Sequence, residues 1–442
     1  MRPDLTHPPS ANHVWLGGIL LTALLVLVAS GKAILYDTLD PDCFWHLRVA
    51  ERLQEEGVRP LIDDISFAST REPWTPYSWL AELGMKRVWD AGGYRAAIAV
   101  QAVVIAGMLA LVAMACVDAR PTSALVIGVA TAYAAFLSLA YLSFRPVTAA
   151  LALLALIVWL LVRDRKLDEQ STAVWLVIPL TAVMANVHFY AVLVPTAVGA
   201  LYLGACWERR RGRAEPESRG ELARRALRYA FLTSLTGLAA CATPLLPGMV
   251  RSLLHYQFAD AMVSDSSIAE FQPFYDGAMG RVSAVLVIIM LACAIARRRE
   301  IRAGQWLWIA LGTALLLRMG RFAPVFALLT APVLAATLPR MSDRVLSKPI
   351  VCAALAALLA IGSFRIAWSF PRDDQPLSAW LNRHDAEVAN GYPCEAADFV
   401  DARVAPDNGW LINEFNWGGY LAWRLGEKYQ VLMDGRTQLY DA

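Results

Sequence analysis

The sequence predicts an α-helical polytopic membrane protein of about eleven transmembrane helices, followed by a small α/β segment outside the membrane. Three observations predict it. Hydrophobic residues make up 57% of the chain and charged residues only 18%, with a mean hydropathy of +0.44, which is more apolar surface than a soluble chain of this length can bury. Apolar runs recur up to residue 369, many near the ~20 residues that a helix needs to cross a bilayer. Residues 370–442 then change character, with charged stretches between short strand-like runs.

The first span, Val14–Leu35, is too long for a signal-peptide core and no small-residue cleavage site follows it, so it is expected to be retained. Further apolar runs centre near Val104, Val129, Ala155, Ile178, Pro195, Leu238, Val287, Ala310, Leu328 and Ala356. With the N-terminus in the cytoplasm, the basic clusters at Arg163–Lys166, Arg209–Arg228, Arg297–Arg302 and Arg340–Lys348 all fall on the inside, as the positive-inside rule requires. The expected organisation is a transmembrane domain over residues 1–369, with large outside loops at 37–95 and 247–281, and an outside segment at 370–442. That segment shows a helical stretch at Glu395–Val404 and strand-like runs at Trp410–Phe415 and Gln430–Met433, separated by Gly418 and Gly419. It reads as an α/β unit that looks incomplete. The expected location is a bacterial-type inner membrane, the plasma membrane.

The seven cysteines show no metal or redox spacing, and Cys116, Cys206, Cys241, Cys293 and Cys352 lie in or beside apolar runs, where they read as small buried hydrophobes. Walker loops, dinucleotide fingerprints and zinc spacings are absent from the sequence. The net charge of +2 says nothing about nucleic acid, since basic residues here mark membrane sidedness. No nucleic-acid partner is expected.

The chain is organised around Tyr36–Glu82, a long acidic and aromatic stretch between two apolar runs, too elaborate for a connector. Asp40-Pro41-Asp42 is a helix start, with Asp40 as N-cap, Pro41 at the first helical position and Asp42 in the first turn. At about 100° per residue, Asp42 and His46 share a side with Val49, Ala50 and Leu53, opposite Arg48, Glu51, Arg52 and Glu55. An acid on the inward side beside a membrane needs a partner, a metal or a reacting group. Capping alone accounts for Asp40, and His46 either orients Asp42 or packs in the interface.

Three motifs carry a family resemblance. Asp42–Arg48, DCFWHLR, resembles the first-loop motif of the catalytic subunit of oligosaccharyltransferase, in which an aspartate is followed by a histidine or its equivalent and then an arginine. Ser267–Pro273, SIAEFQP, is similar to that family's SVSEHQP motif and places a glutamate at Glu270. Asn416–Trp423, NWGGYLAW, lies where the family carries its WWDYG segment. Order and predicted side agree, and together they resemble the GT-C class of membrane glycosyltransferases.

The resemblance implies a polyprenyl-phosphate-linked sugar as donor, membrane lipids as surroundings, and an inverting displacement at the anomeric carbon onto an acceptor that the sequence does not name: a lipid, a polysaccharide or a protein. It implies that Asp42, with Asp40 and Glu270 beside it, supplies the catalytic carboxylates, Asp42 as base or metal ligand and Glu270 as acceptor or metal ligand. Mg²⁺ or Mn²⁺ held by Asp42 and Glu270, or a reaction without metal, are both compatible with the class. Arg145, Arg318 and Arg321 are candidates for the departing phosphate, because guanidinium groups donate to phosphate in a fork; snorkelling to the interface is the alternative for each. His46, His188, Asp64 and Trp79 are further candidates for substrate contact, although an acidic pair such as Asp63-Asp64 also serves as a turn or cap. Two departures stand out. The loop Ser143-Phe144-Arg145-Pro146 lacks the family's second acidic motif, and NWGGY lacks the WWDYG aspartate, so protein N-glycosylation is not expected. A non-catalytic scaffold with this fold is the alternative. A lipid or glycan transporter is disfavoured because the spans are almost free of acids.

Overall fold

The computed structural model describes residues 11–36, 39–119, 123–211, 216–258, 269–339, 341–383, 391–404 and 409–440. The bundle comprises α1 (Ala11–Leu35), α2 (Pro41–Glu56), α3 (Trp79–Ala119), α4 (Ala124–Ser138), α5 (Pro146–Lys166), α6 (Val177–Val187), α7 (Leu193–Arg210), α8 (Pro216–Ala240), α9 (Leu246–Phe258), α10 (Gly277–Ala296), α11 (Ala303–Arg318), α12 (Ala323–Thr337) and α13 (Pro349–Ser369). Among the described residues, eight helices are long and apolar enough to cross a membrane. Every expected span centre lies on a helix. The centres at Ile178 and Ala310 fall on α6 and α11, of only 11 and 16 residues, and Leu238 falls on α8, whose first half is charged. Of the expected inside clusters, Arg213 and Arg340 lie outside the described residues.

Leu, Ala and Val dominate these helices, and the start of α4 carries a side-chain cap. Ser123 Oγ accepts from Val126 N at the head of α4, where Asp343 also accepts from the Ala124 and Leu125 amides at 3.1 Å. The stretch Gly320–Thr337, which contains α12, is 89% buried inside the protein. The 3₁₀ turn that leads into α12 is therefore held by the middle of the bundle, and Arg321 sits in that turn.

The first large loop is built from helices as well as irregular chain. The helix start falls at Asp40, whose side chain accepts from the Asp42 amide at 3.0 Å, with Pro41 at the first helical position. Helix α3 starts at Trp79, inside the expected loop, and bends at Gly92-Gly93 before running on as a span. Gly93 has φ +58° and ψ −148° there, a conformation essentially open only to glycine. Short antiparallel strands β1 (Leu61–Ile62) and β2 (Pro73–Trp74) close the rest of the loop.

After the bundle come α14 (Leu377–Leu381), α15 (Cys394–Arg403), β3 (Gly409–Leu411), α16 (Gly418–Leu425) and β4 (Tyr429–Val431), with β3 and β4 parallel. The first loop extends this sheet. Val431 N donates to Ile65 O and Phe67 N to Val431 O, both at 3.0 Å, in a parallel bridge along the free side of β4. Apolar burial follows the same division. One core fills the bundle, and a second joins Phe44, Trp45 and Leu47 of α2 and Ile98 of α3 to Trp380, Tyr420, Leu421 and Val431. The C-terminal segment thus extends its sheet and shares its core with the first loop.

Helix α5 runs 21 residues from Pro146 to Lys166, a rise of about 30 Å. At its far end the basic loop residues gather into ion pairs, Arg228 with Asp164 at 2.9 Å, Arg302 with Glu169 at 2.6 Å and Lys166 with Asp118 at 2.8 Å. Its near end opens on a cavity.

Candidate functional site

Between α2, the turns before α5 and α12, and the C-terminal segment lies a cavity of about 570 Å³, within the range of small-ligand sites. Seven of the expected site residues line it: Asp40, Asp42, His46, Arg145, His188, Glu270 and Arg321. They come from five separate stretches of chain.

Arg145 is the centre of the charged group. The following Pro146 is the first residue of α5 and holds Arg145 extended, at φ −140° and ψ 159°, as a residue before proline prefers. Ser143 braces it, accepting from Nε at 2.9 Å. From there the guanidinium reaches three carboxylates: Nη1 donates to Asp42 Oδ2 at 2.9 Å, Nη2 to Glu270 Oε1, and Nε stands 3.4 Å from Asp40 Oδ2. Arg145 is only 11% exposed, and Asp42 and Glu270 28% each. Burial works against the arginine's charge, but the three carboxylates outweigh it and hold the group protonated.

The acids differ from one another. Burial pushes Asp40 up to about 6 against the pull of Arg145, with Asp42 and Glu270 adding to the rise. Burial also pushes Glu270 up, but Arg145 and Arg321 outweigh it and hold it below the usual carboxylate range. Asp42 turns Oδ2 to Arg145 and accepts at Oδ1 from Trp45 Nε1 at 3.0 Å. The backbone of Gly435 lies against that same carboxylate, so a Cβ at this position would collide with Oδ1. His46 is buried, which lowers its pKa, and its Nδ1 lies 3.0 Å from Glu82 Oε1. A carboxylate accepts only, so Nδ1 carries the proton and Nε2 is left as an acceptor. Arg321 lines the cavity with its guanidinium over the Phe271 ring, 5.2 Å from the centroid.

Three expected residues do not line the cavity. Asp64 is 54% exposed and pairs with Arg52, because it follows the buried Asp63 in a turn and points the other way. Trp79 opens α3 and donates from its indole to Asn186 Oδ1 at 2.9 Å, bracing α3 on the end of α6. Arg318 is exposed on the last turn of α11, on the outer side of the break that turns Arg321 inward. Tyr77 also lines the cavity, and so do Trp45, Ser78, Asn416 and Thr437, which were not expected there. Trp45 had a signal, since three residues after Asp42 on a helix is contact distance. Within SIAEFQP, Ser267 and Ile268 lie outside the described residues.

A divalent cation between Asp42 and Glu270 would find its donors already turned to Arg145. Among the described residues, no group of three or more His, Cys, Asp or Glu side chains converges closely enough to hold a metal ion. As arranged, the carboxylates do not fit Mg²⁺ or Mn²⁺, which need several oxygens at about 2.0–2.2 Å.

The C-terminal segment is fixed to the site by a second buried charge cluster. Arg436 is fully buried, pairs with Asp434 through Nη2–Oδ2 at 2.6 Å, and reaches across to Asp63 of the first loop at 2.7 Å. Asp63 in turn accepts from the Ile65 and Ser66 amides, setting the strand that extends β4.

No family model matches the chain, and no curated protein matches it in sequence. Solved structures do match in fold. The archaeal oligosaccharyltransferase AglB from Archaeoglobus fulgidus, in complex with an inhibitory peptide and a dolichol-phosphate, superposes with a TM-score of 0.55 at 9% identity, covering 96% of this chain and 64% of that one. The Archaeoglobus fulgidus oligosaccharyltransferase in its apo form gives 0.53 at 11% identity, covering 95% and 65%. The form tethered to an acceptor peptide containing the NVT sequon gives 0.51 at 10% identity, covering 97% and 64%. The chain thus spans just under two thirds of their length. It has the helical fold of these oligosaccharyltransferase structures, with a small α/β segment at one end.

Proposed function

We propose that the chain is a membrane glycosyltransferase that moves a sugar from a polyprenyl-phosphate-linked donor to an acceptor at the outer face of the membrane. The observation that carries this reading is the meeting of Asp42, Glu270, Arg145 and Arg321 in one cavity, at the end of the bundle away from the basic ion pairs of the loops. Those basic loops are taken as cytoplasmic, which the positive-inside rule supports, with the cavity on the opposite side of the membrane.

In this reading a heteroatom of the acceptor attacks the anomeric carbon of the sugar and gives its proton to the Asp42 carboxylate. The bond from the anomeric carbon to the phosphate oxygen breaks, and its electron pair leaves with the polyprenyl phosphate. The negative charge that develops there faces Arg321. Asn416, Thr437 and Tyr77 supply polar and aromatic surface suited to a sugar ring. The solved AglB structure with a dolichol-phosphate gives the donor class a precedent on this fold.

The test uses the full chain in detergent or nanodiscs with synthetic polyprenyl-phosphate-linked hexoses, following release of polyprenyl phosphate by mass spectrometry. Release that depends on the chain and is lost in Asp42→Asn supports the reading. A scaffold instead leaves every donor intact and behaves identically in wild type and variant.

A further inference from the structure

Three carboxylates facing one cavity repel one another, and a site of this kind needs a cation among them. Chemistry of this class offers a divalent ion for that position. In this chain the position is filled by a side chain. Nη1 of Arg145 donates to Asp42 and Nη2 to Glu270, while the single Nε–H goes to Ser143 Oγ and Asp40 Oδ2 stands 3.4 Å from Nε as the third acid around the guanidinium. The loop that supplies the arginine is itself fixed. Ser143 N donates to Thr148 Oγ1 at 3.1 Å, Arg145 N to Ser143 O at 2.8 Å and Thr148 N to Arg145 O at 3.1 Å. This is a built seat for the guanidinium.

We propose that Arg145 is the resident cation of this site, standing among Asp40, Asp42 and Glu270 where a divalent ion would otherwise be held, so that the intact protein takes no divalent cation there. The geometry explains why the two arrangements exclude each other. Carboxylate oxygens that meet the separate nitrogens of a planar guanidinium lie around a group several ångströms wide and cannot converge on one small ion. It also gives a physical reason for the sequence Ser143-Phe144-Arg145-Pro146. This loop carries no acid because it delivers the positive charge itself. The catalytic consequence, a transfer reaction that runs without metal, rests on the glycosyltransferase reading above; the exclusion of the ion does not.

The test is Mn²⁺ binding to the purified full chain, read by electron paramagnetic resonance and titration calorimetry, for wild type, Arg145→Ala, Arg145→Lys and the double variant Arg145→Ala with Asp42→Asn. The wild type and Arg145→Lys are expected to bind no Mn²⁺ at the site. Arg145→Ala uncovers three carboxylates and is expected to gain one Mn²⁺ at least about tenfold tighter than any wild-type binding, a gain lost again in the double variant. Stoichiometric Mn²⁺ on the wild type that Asp42→Asn weakens overturns the proposal, as does a folded Arg145→Ala protein that gains no ion. Should Arg145→Ala fail to fold, the wild-type titration alone decides. Release of polyprenyl phosphate from synthetic donors by EDTA-treated wild type separates the two claims. Bound Mn²⁺ at Asp42 with donor turnover sinks the resident cation and leaves the transferase reading standing. A metal-free protein that turns over no donor sinks the transferase reading and leaves the resident cation standing.

Discussion

Nη1 of Arg145 lies 2.9 Å from Oδ2 of Asp42, although 103 residues separate them in the chain. This contact joins the head of α2 to the head of α5 and sets the direction of the one carboxylate that also receives the Trp45 indole. Asp42→Asn keeps the size of the side chain and its hydrogen bond from Trp45 but removes its charge and its basicity. Donor turnover is expected to fall by about 10²–10⁴-fold, with the protein still monodisperse and its melting temperature within a few degrees of wild type. Turnover assays beside thermal scans check both halves.

Gly435 works on the same carboxylate from the other side. Its backbone touches Asp42 Oδ1 and stands close to Trp45 Nε1, so Gly435→Ala must push Asp42 out of place. Displacing a reacting group by about 1 Å costs on the order of 10²-fold in rate. The expected result is a strong loss of turnover without loss of expression, measured beside wild type at equal protein.

Arg436 ties the C-terminal segment to the first loop through Asp63 and Asp434, all three buried. Arg436→Met leaves two carboxylates buried without their partner, a loss of about 3–5 kcal/mol. Limited proteolysis is expected to cut the variant within residues 391–440 under conditions in which the wild type resists. An unchanged digestion pattern would show that the apolar core around Phe44, Tyr420 and Val431 holds the segment without the arginine.

Asp40 gives a pH signature. Its pKa is raised in the folded protein, to about 6, above the value of about 3.9 expected for an unfolded chain. The folded state therefore binds this proton more tightly. The stability it contributes is fully present below the unfolded pKa and is lost as pH rises through the folded one. The wild type is accordingly expected to lose melting temperature through this group between about pH 4 and pH 7, and Asp40→Asn to flatten that fall. Parallel curves for the two proteins would contradict the burial argument.

Asp64 is the control within the same loop. It is exposed and paired with Arg52, and surface pairs of this kind contribute about 0–1 kcal/mol. Asp64→Ala is expected to leave turnover and melting temperature at wild-type values.

Much of this architecture was legible in the sequence, for reasons visible in particular residues. Asp40-Pro41-Asp42 announces a helix start whatever surrounds it, because capping is local. The apolar runs mark helices for the same reason, and the segment's helix and two strands fall within a few residues of α15, β3 and β4. Local chemistry could not show that Ile65–Phe67 would join β4, since nothing in the first loop marks it as a partner for a strand more than 360 residues later. The site divides along the same line. Asp42 and His46 were legible from helical phase, whereas Asp63 and Asp64 are adjacent in sequence and differ only in which one meets Arg436. Arg318 and Arg321 are equally plausible by composition, and the break at Met319-Gly320, where Gly320 N donates to Gln272 O at 3.0 Å, decides between them. The loop Ser143–Pro146 lacks the acidic motif, and its Arg145 was legible as a candidate for the departing phosphate; that its guanidinium pairs with Asp42, Glu270 and Asp40 could not be read from the sequence.

The most direct measurement for the transferase reading is native mass spectrometry of the gently solubilised wild-type chain beside Arg321→Ala, with bound lipids identified by mass. A polyprenyl phosphate, bare or carrying a sugar, is predicted on the wild type and should be absent from the variant. Bulk phospholipid alone on both proteins would contradict a donor site in this cavity.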